Sequence, residues 1–166
     1  MPVDPALCLK WLQQFTGTWT MSGQCVMGPD QPPILSSGRE SVRAFGENWI
    51  LFEGSSEMPG MGTMESVMTV GYDAARGKFV GTWVGSCMTT IFVYEGELEG
   101  VEQRADRIGG TVALHTKGPS FADPAKIVNY QDVLVLHADG RRFLHSQVQG
   151  DDGQWTRFMT AEYKRA

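Results

Sequence analysis

Cysteine is scarce in this 166-residue chain: Cys8, Cys25 and Cys87 are the only three, and no two stand in C-x-x-C spacing. An odd number so placed argues against a disulfide framework and against a thiolate zinc site. Histidine is equally sparse. His115, His137 and His145 lie on separate segments, and none belongs to an H-x-H or H-E-x-x-H metal pattern. Positive charge is in deficit, with 14 Lys and Arg against 19 Asp and Glu and a net charge of -5. A nucleic-acid binder would show a basic stripe, so no nucleic-acid partner is expected. No apolar run approaches the length of a membrane span, and no membrane association is expected. The opening residues have no basic stretch followed by an apolar run, so no secretory signal is read there. The expectation is a reduced, cytoplasmic protein. A nucleophile elbow, a P-loop and a dinucleotide fingerprint are also missing, so no catalytic residue and no cofactor is assigned from motifs.

What is abundant is bulk and glycine. Eight Phe, five Trp, four Tyr and nine Met supply large core side chains, and 20 Gly are scattered at intervals rather than gathered in a linker. The length suits one domain, residues 1–166. Asp4 can cap a helix that begins with Pro5, and Leu7, Trp11, Leu12 and Phe15 recur at helical spacing, so a helix is predicted over 4–16, ended by Gly17. From 17 to 166 the chain reads as strands, with turn signals roughly every 8–12 residues. Strands are predicted at 18–27, 37–45, 49–57, 64–72, 78–85, 88–97, 103–107, 110–117, 127–137, 143–149 and 155–163. Short connections make sequence neighbours antiparallel neighbours in space, and closure removes exposed sheet edges. The fold class is therefore all-β: an antiparallel up-and-down barrel of about ten strands behind a short N-terminal helix. The glycine-rich stretch 58–62 reads as a flexible loop that could lid one barrel end.

Pairing strands through their turns sorts the faces, because alternate residues point to opposite sides. A tip at 74–77 sets Tyr72 opposite Phe79 and Met68 opposite Trp83, and a tip at 85–88 sets Phe79 opposite Tyr94. One face then collects Met68, Tyr72, Phe79, Trp83, Phe92 and Tyr94. Such a face is either the wall of a pocket for an apolar or aromatic ligand or a filled core of packed rings. A tip at 45–48 places Glu40 opposite Glu53, and the final hairpin places Ser146 opposite Arg157 on a mostly apolar face. A buried carboxylate needs a partner, so Arg157 is expected to pair with Glu40 or Glu53 inside the barrel, or all three sit at a solvated rim. The two glutamates are also a candidate acid–base pair.

Several segments together resemble a known family. They are WLQQFTGTW at 11–19, GRESVR at 38–43, GYD at 71–73, FVGTWVGS at 79–86, VYEG at 93–96, GPS at 118–120, QW at 154–155 and FMTAEY at 158–163. The chain resembles domain-of-unknown-function family 1579, an uncharacterised bacterial family, and its Gly-x-Trp opening is similar to that of calycin-type barrels. The resemblance implies a lipocalin-like barrel but no activity. Calycin relatives such as lipocalins, fatty-acid-binding proteins and nitrobindin-like haem proteins hold small apolar molecules inside the barrel, an analogy of fold alone. The haem-binding relatives need an axial histidine late in the chain, for which His137 and His145 are the candidates.

Three readings follow. The first is a binding protein with a small apolar ligand in the barrel, held by the aromatic face with Arg157 as anion anchor. The second is an enzyme using the same cavity with Glu40, Glu53 or a histidine as acid–base group. The third is a barrel that mainly supports a homodimer.

Overall fold

In the computed structural model, which describes residues 3–60 and 62–166, helix α1 (Pro5–Gln13) precedes eleven strands. These are β1 (Gly17–Cys25), β2 (Ile34–Phe45), β3 (Trp49–Met58), β4 (Gly62–Asp73), β5 (Lys78–Gly85) and β6 (Phe92–Gly96). They continue with β7 (Leu98–Arg104), β8 (Arg107–Pro119), β9 (Ile127–Leu136), β10 (Arg142–Gln149) and β11 (Trp155–Arg165). The sheet runs β6-β5-β4-β3-β2-β1-β11-β10-β9-β8-β7, and Glu95 on β6 meets His115 on β8 to close the ring. The result is a closed antiparallel barrel of ten strands with β7 outside it. This is the predicted class, and burial along β2 alternates residue by residue as a half-buried strand requires.

Closure bends the strands sharply, and glycine permits it where backbones crowd. A Cβ on Gly81 would lie 1.9 Å from the Thr69 carbonyl oxygen, and one on Gly38 would lie 2.2 Å from that of Ser55. No side chain fits either position.

The helix plugs one end. Asp4 caps it by accepting from the Ala6 N–H at 2.9 Å, and Pro5 sits in the first turn, where its missing N–H costs nothing. Its inner side buries Cys8, Trp11 and Leu12, and Phe15 joins them from just past the helix, which ends at Gln13 rather than at the expected residue 16. Trp11 meets Phe79 edge-on at 5.7 Å, and Phe15 meets Phe52 at 5.5 Å. Each such ring contributes about 1.5–3 kcal/mol by leaving water. The helix C-terminus is tied down on two sides. Gln14 exchanges two hydrogen bonds with the Ile108 backbone at 2.7 and 2.9 Å, and Arg165 donates to the Thr16 and Gln14 carbonyls at 2.6 and 2.8 Å. The Trp19 indole N–H donates to the Phe15 carbonyl at 2.8 Å, so the first-strand tryptophan seals the barrel under its helix.

Three sequence expectations are corrected by register. The β2–β3 tip is a three-residue loop, 46–48, with Gly46 at φ +66° and Phe45 paired to Trp49. Glu40 therefore faces Gly54, while Glu53 pairs with Ser41 and points outward, because a one-residue slip moves a side chain to the other face. The β5–β6 connection is longer than a tight turn, so Trp83 pairs with Phe92, and Phe79 pairs with Gly96 rather than Tyr94. A bulge between Ser146 and Gln147 pairs Ser146 with Met159 and Gln147 with Arg157, leaving Phe158 as the extra residue. Arg157 is exposed and does not enter the barrel.

Candidate functional site

The barrel is filled at the helix end and hollow above it. A cavity of about 190 Å³ lies in the upper half. Of the residues expected to form an aromatic wall, Met68, Trp83, Phe92 and Tyr94 line this cavity, as does Glu40. Tyr72 and Phe79 share their face but sit lower, 5.2 Å apart, in the core beneath α1. Glu53 lies outside the barrel, 3.4 Å from Arg43 in an exposed ion pair.

Rings continue the wall toward the mouth. Trp83 and Phe92 lie 5.9 Å apart, Phe92 meets Tyr130 at 6.1 Å, and Tyr130 meets Phe158 at 6.1 Å. Two connections contribute to the rim: Met88 from the β5–β6 loop and Phe121 from the β8–β9 loop. The predicted lid at 58–62 is the β3–β4 turn and does not line the cavity; Met61 within it is outside the described residues.

Two carboxylates reach the cavity wall, and their circumstances differ. Glu40 on β2 has a cation: Arg142 Nη2 lies 2.6 Å from Glu40 Oε1, with the arginine 1% exposed and the glutamate 11%. This is an ion pair by distance, and Nε and Nη1 of Arg142 have no hydrogen-bond partner. The guanidinium is instead boxed by aromatic faces. Its central carbon lies 3.9 Å from the Tyr163 ring centre, 4.9 Å from Trp19, 5.0 Å from Phe15 and 5.4 Å from Phe52. Ring quadrupoles stabilise the cation where water cannot. Burial nevertheless raises the Glu40 pKa, outweighing the opposing pull of Arg142. The expected inward Arg–Glu pair thus exists, but its arginine is Arg142 rather than Arg157.

Asp132 on β9 has no cation. Among the described residues it belongs to no ion pair. Its carboxylate accepts from Ser146 Oγ at 2.5 Å, directly across the β9–β10 pair, and from the Tyr94 hydroxyl on β6. Burial raises its pKa, and the two hydroxyl donors only partly offset that. The Tyr94 and Tyr163 hydroxyls are pushed up by burial too, so both stay neutral, and Tyr94 acts as a hydrogen-bond donor rather than as a base.

Asp132, Ser146 and Arg142 were not singled out from the sequence, though a signal existed. Tyr130, Asp132, Leu134 and Leu136 alternate on one face of β9, and Arg142, Leu144 and Ser146 alternate on β10. A polar residue in an apolar row of that period is an inward-facing polar group.

None of the three histidines lines the cavity, so none is placed to ligate a haem iron there. His145 bonds Thr160 Oγ1 at 3.2 Å instead, and His115 contacts Gln131 at 3.0 Å. Among the described residues, no group of three His, Cys, Asp or Glu side chains is placed to hold a metal ion, and no helix is long and apolar enough to cross a membrane.

The model of the family described as Protein of unknown function (DUF1579) matches residues 5–165. Curated proteins gave no match. Among solved structures, the crystal structure of Rv2717c from M. tuberculosis superimposes with a TM-score of 0.66 at 12% sequence identity, covering 99% of each chain. At that identity the likeness is one of fold.

Proposed function

The chain belongs to DUF1579, a family of unknown function, and from that premise and the cavity we propose that it is a binding protein holding one small, mainly apolar molecule inside the barrel. The observation that carries this reading is the hollow upper half: about 190 Å³ walled by Met68, Trp83, Phe92, Tyr130 and Phe158, with Asp132, Ser146 and Tyr94 as its polar spot. An apolar cavity of about 150 Å³ is large enough to take up benzene, so this one suits a single ring with a short substituent. An apolar wall with a few convergent polar groups is the usual make-up of a small-molecule site.

Methionine methyl NMR tests it directly, because Met68, Met88 and Met159 line the cavity while Met27 is exposed elsewhere. Titration with single-ring probes such as benzyl alcohol is expected to shift the three cavity methyls saturably and leave Met27 unmoved. No saturable shift with any single-ring probe would refute the reading.

The alternative, an enzyme in the same cavity, draws its support from Asp132, a carboxyl in apolar surroundings with a raised pKa and oriented hydroxyls. Glu53 lends it none, since it faces outward. Mass analysis of the recovered probe separates the two readings. An unchanged probe favours the binding protein, and a converted one favours the enzyme.

A further inference from the structure

We propose that the cavity selects a small organic cation, with an ammonium group seated against Asp132 and a body of about one ring packed on the surrounding aromatics; this rests on the reading of the cavity as a binding site. The argument begins with the charges on the wall. Glu40 has a cation of its own, Arg142 at 2.6 Å. Asp132 is the other acid on the wall, and neither Lys, Arg nor His pairs with it among the described residues. Its partners, Ser146 and Tyr94, are neutral hydroxyls.

A carboxylate has about four lone-pair sites, and two neutral donors leave acceptor capacity unused. The missing component is a positive charge. The rest of the wall suits one. Trp83, Phe92, Tyr130 and Phe158 stand around the cavity, and aromatic faces attract cations while repelling anions.

Other ligand charges fit worse. A carboxylate ligand would meet Asp132 with no free cation to hold it. A neutral ring would cover Asp132 without supplying a hydrogen bond or a counter-charge. If Asp132 carries its proton in the empty barrel, an entering neutral amine takes it. The O–H bond breaks, the N–H bond forms, and the bound pair is again carboxylate and ammonium.

Three probes of nearly one shape decide the matter: benzylammonium, benzyl alcohol and benzoate, each titrated at neutral pH with the cavity methionine methyls as readout. Benzylammonium is expected to bind at least roughly tenfold more tightly than benzyl alcohol, with benzoate failing to bind. Only saturable shifts at Met68, Met88 and Met159 count, which removes weak attraction of cations to a surface of net charge -5. Asp132→Asn is expected to abolish the tenfold preference and keep benzyl alcohol binding. Ser146→Ala, which leaves the carboxylate in place, is expected to keep the preference. If Asp132→Asn does not fold, the wild-type ranking and Ser146→Ala still decide. Benzyl alcohol binding as tightly as benzylammonium overturns the cation proposal and leaves the cavity reading standing. Failure of all three probes overturns the cavity reading itself.

Discussion

Glu40→Gln should be among the most damaging single substitutions in the barrel, and more damaging than Arg142→Met. The two residues form one buried pair, yet they differ in how they can respond to losing each other. Arg142 is 1% exposed, cannot shed its proton, and has two guanidinium nitrogens without hydrogen-bond partners. Removing the Glu40 charge leaves the cation held by four rings alone. Stranding a buried charge in this way costs about 3–5 kcal/mol. Glu40 has an escape: its pKa is already raised by burial, so without Arg142 it takes a proton and becomes neutral. Arg142→Met also fills the aromatic box with an apolar chain, and its cost should be only about 1–2 kcal/mol. The double variant should then lie closer to wild type than Glu40→Gln does. Urea unfolding followed by tryptophan fluorescence supplies the four free energies of the cycle. With a slope of about 2 kcal/mol per molar, a loss of 3 kcal/mol moves the midpoint by about 1.5 M. It lowers the melting temperature by about 6–12 °C. Additive losses, with a coupling below about 0.5 kcal/mol, would refute the claim that these residues act as a pair.

Two further outcomes rest on the same interior. The Asp132 pKa is raised above its ordinary 3.8, so between that value and its native pKa the folded protein holds a proton that the unfolded chain has released. This contribution is fully present below about pH 4 and is lost as pH rises through the native pKa. The unfolding free energy of Asp132→Asn minus that of wild type should therefore grow with pH across this window and then level off, and a gap that shrinks with pH would contradict the assignment. Trp11→Ala removes a fully buried ring packed on Phe15 and Phe79 from the plug, and a loss of about 3–5 kcal/mol is expected in thermal or urea unfolding. A loss below about 1 kcal/mol would mean that the helix does not seal the barrel.

Much of the fold was legible because local chemistry and global architecture agree. Asp4 and Pro5 mark the start of the helix, and Trp11 and Leu12 fall on its buried side, as their spacing predicts. The 74–77 tip falls where its turn residues predict, and Tyr72 opposes Phe79 and Met68 opposes Trp83. One error comes from loop length. Hairpin loops of two and three residues look alike in composition, yet they place opposite sets of side chains inside. Gly46 at φ +66° turns a three-residue loop after Phe45, and that single residue sends Glu53 to the surface. At the other end of the chain, the turn pairs Gln149 with Trp155 and so sets Arg157 opposite Gln147 and in solvent, while the bulge beside Ser146 leaves both Phe158 and Met159 on the cavity wall.

The polar interior was hidden for a different reason. Alternation within one strand can show that Arg142 follows the row of Leu144 and Ser146, and the predicted strand missed it only by starting at 143. What alternation cannot show is the partner. Arg142 is on β10 and Glu40 is on β2, with β11 and β1 between them in the sheet. Their contact crosses the barrel interior instead of following the ladder, so no single turn and no single cross-strand pair joins the two positions. Asp132 shows the same limit: Ser146 is its cross-strand neighbour and was reachable by pairing β9 with β10, but Tyr94 comes from β6, across the closing seam beyond β8. Charge balance in the cavity is a property of closure. The lack of a cation beside Asp132 is visible only once the ring of strands closes and sets Arg142 beside Glu40.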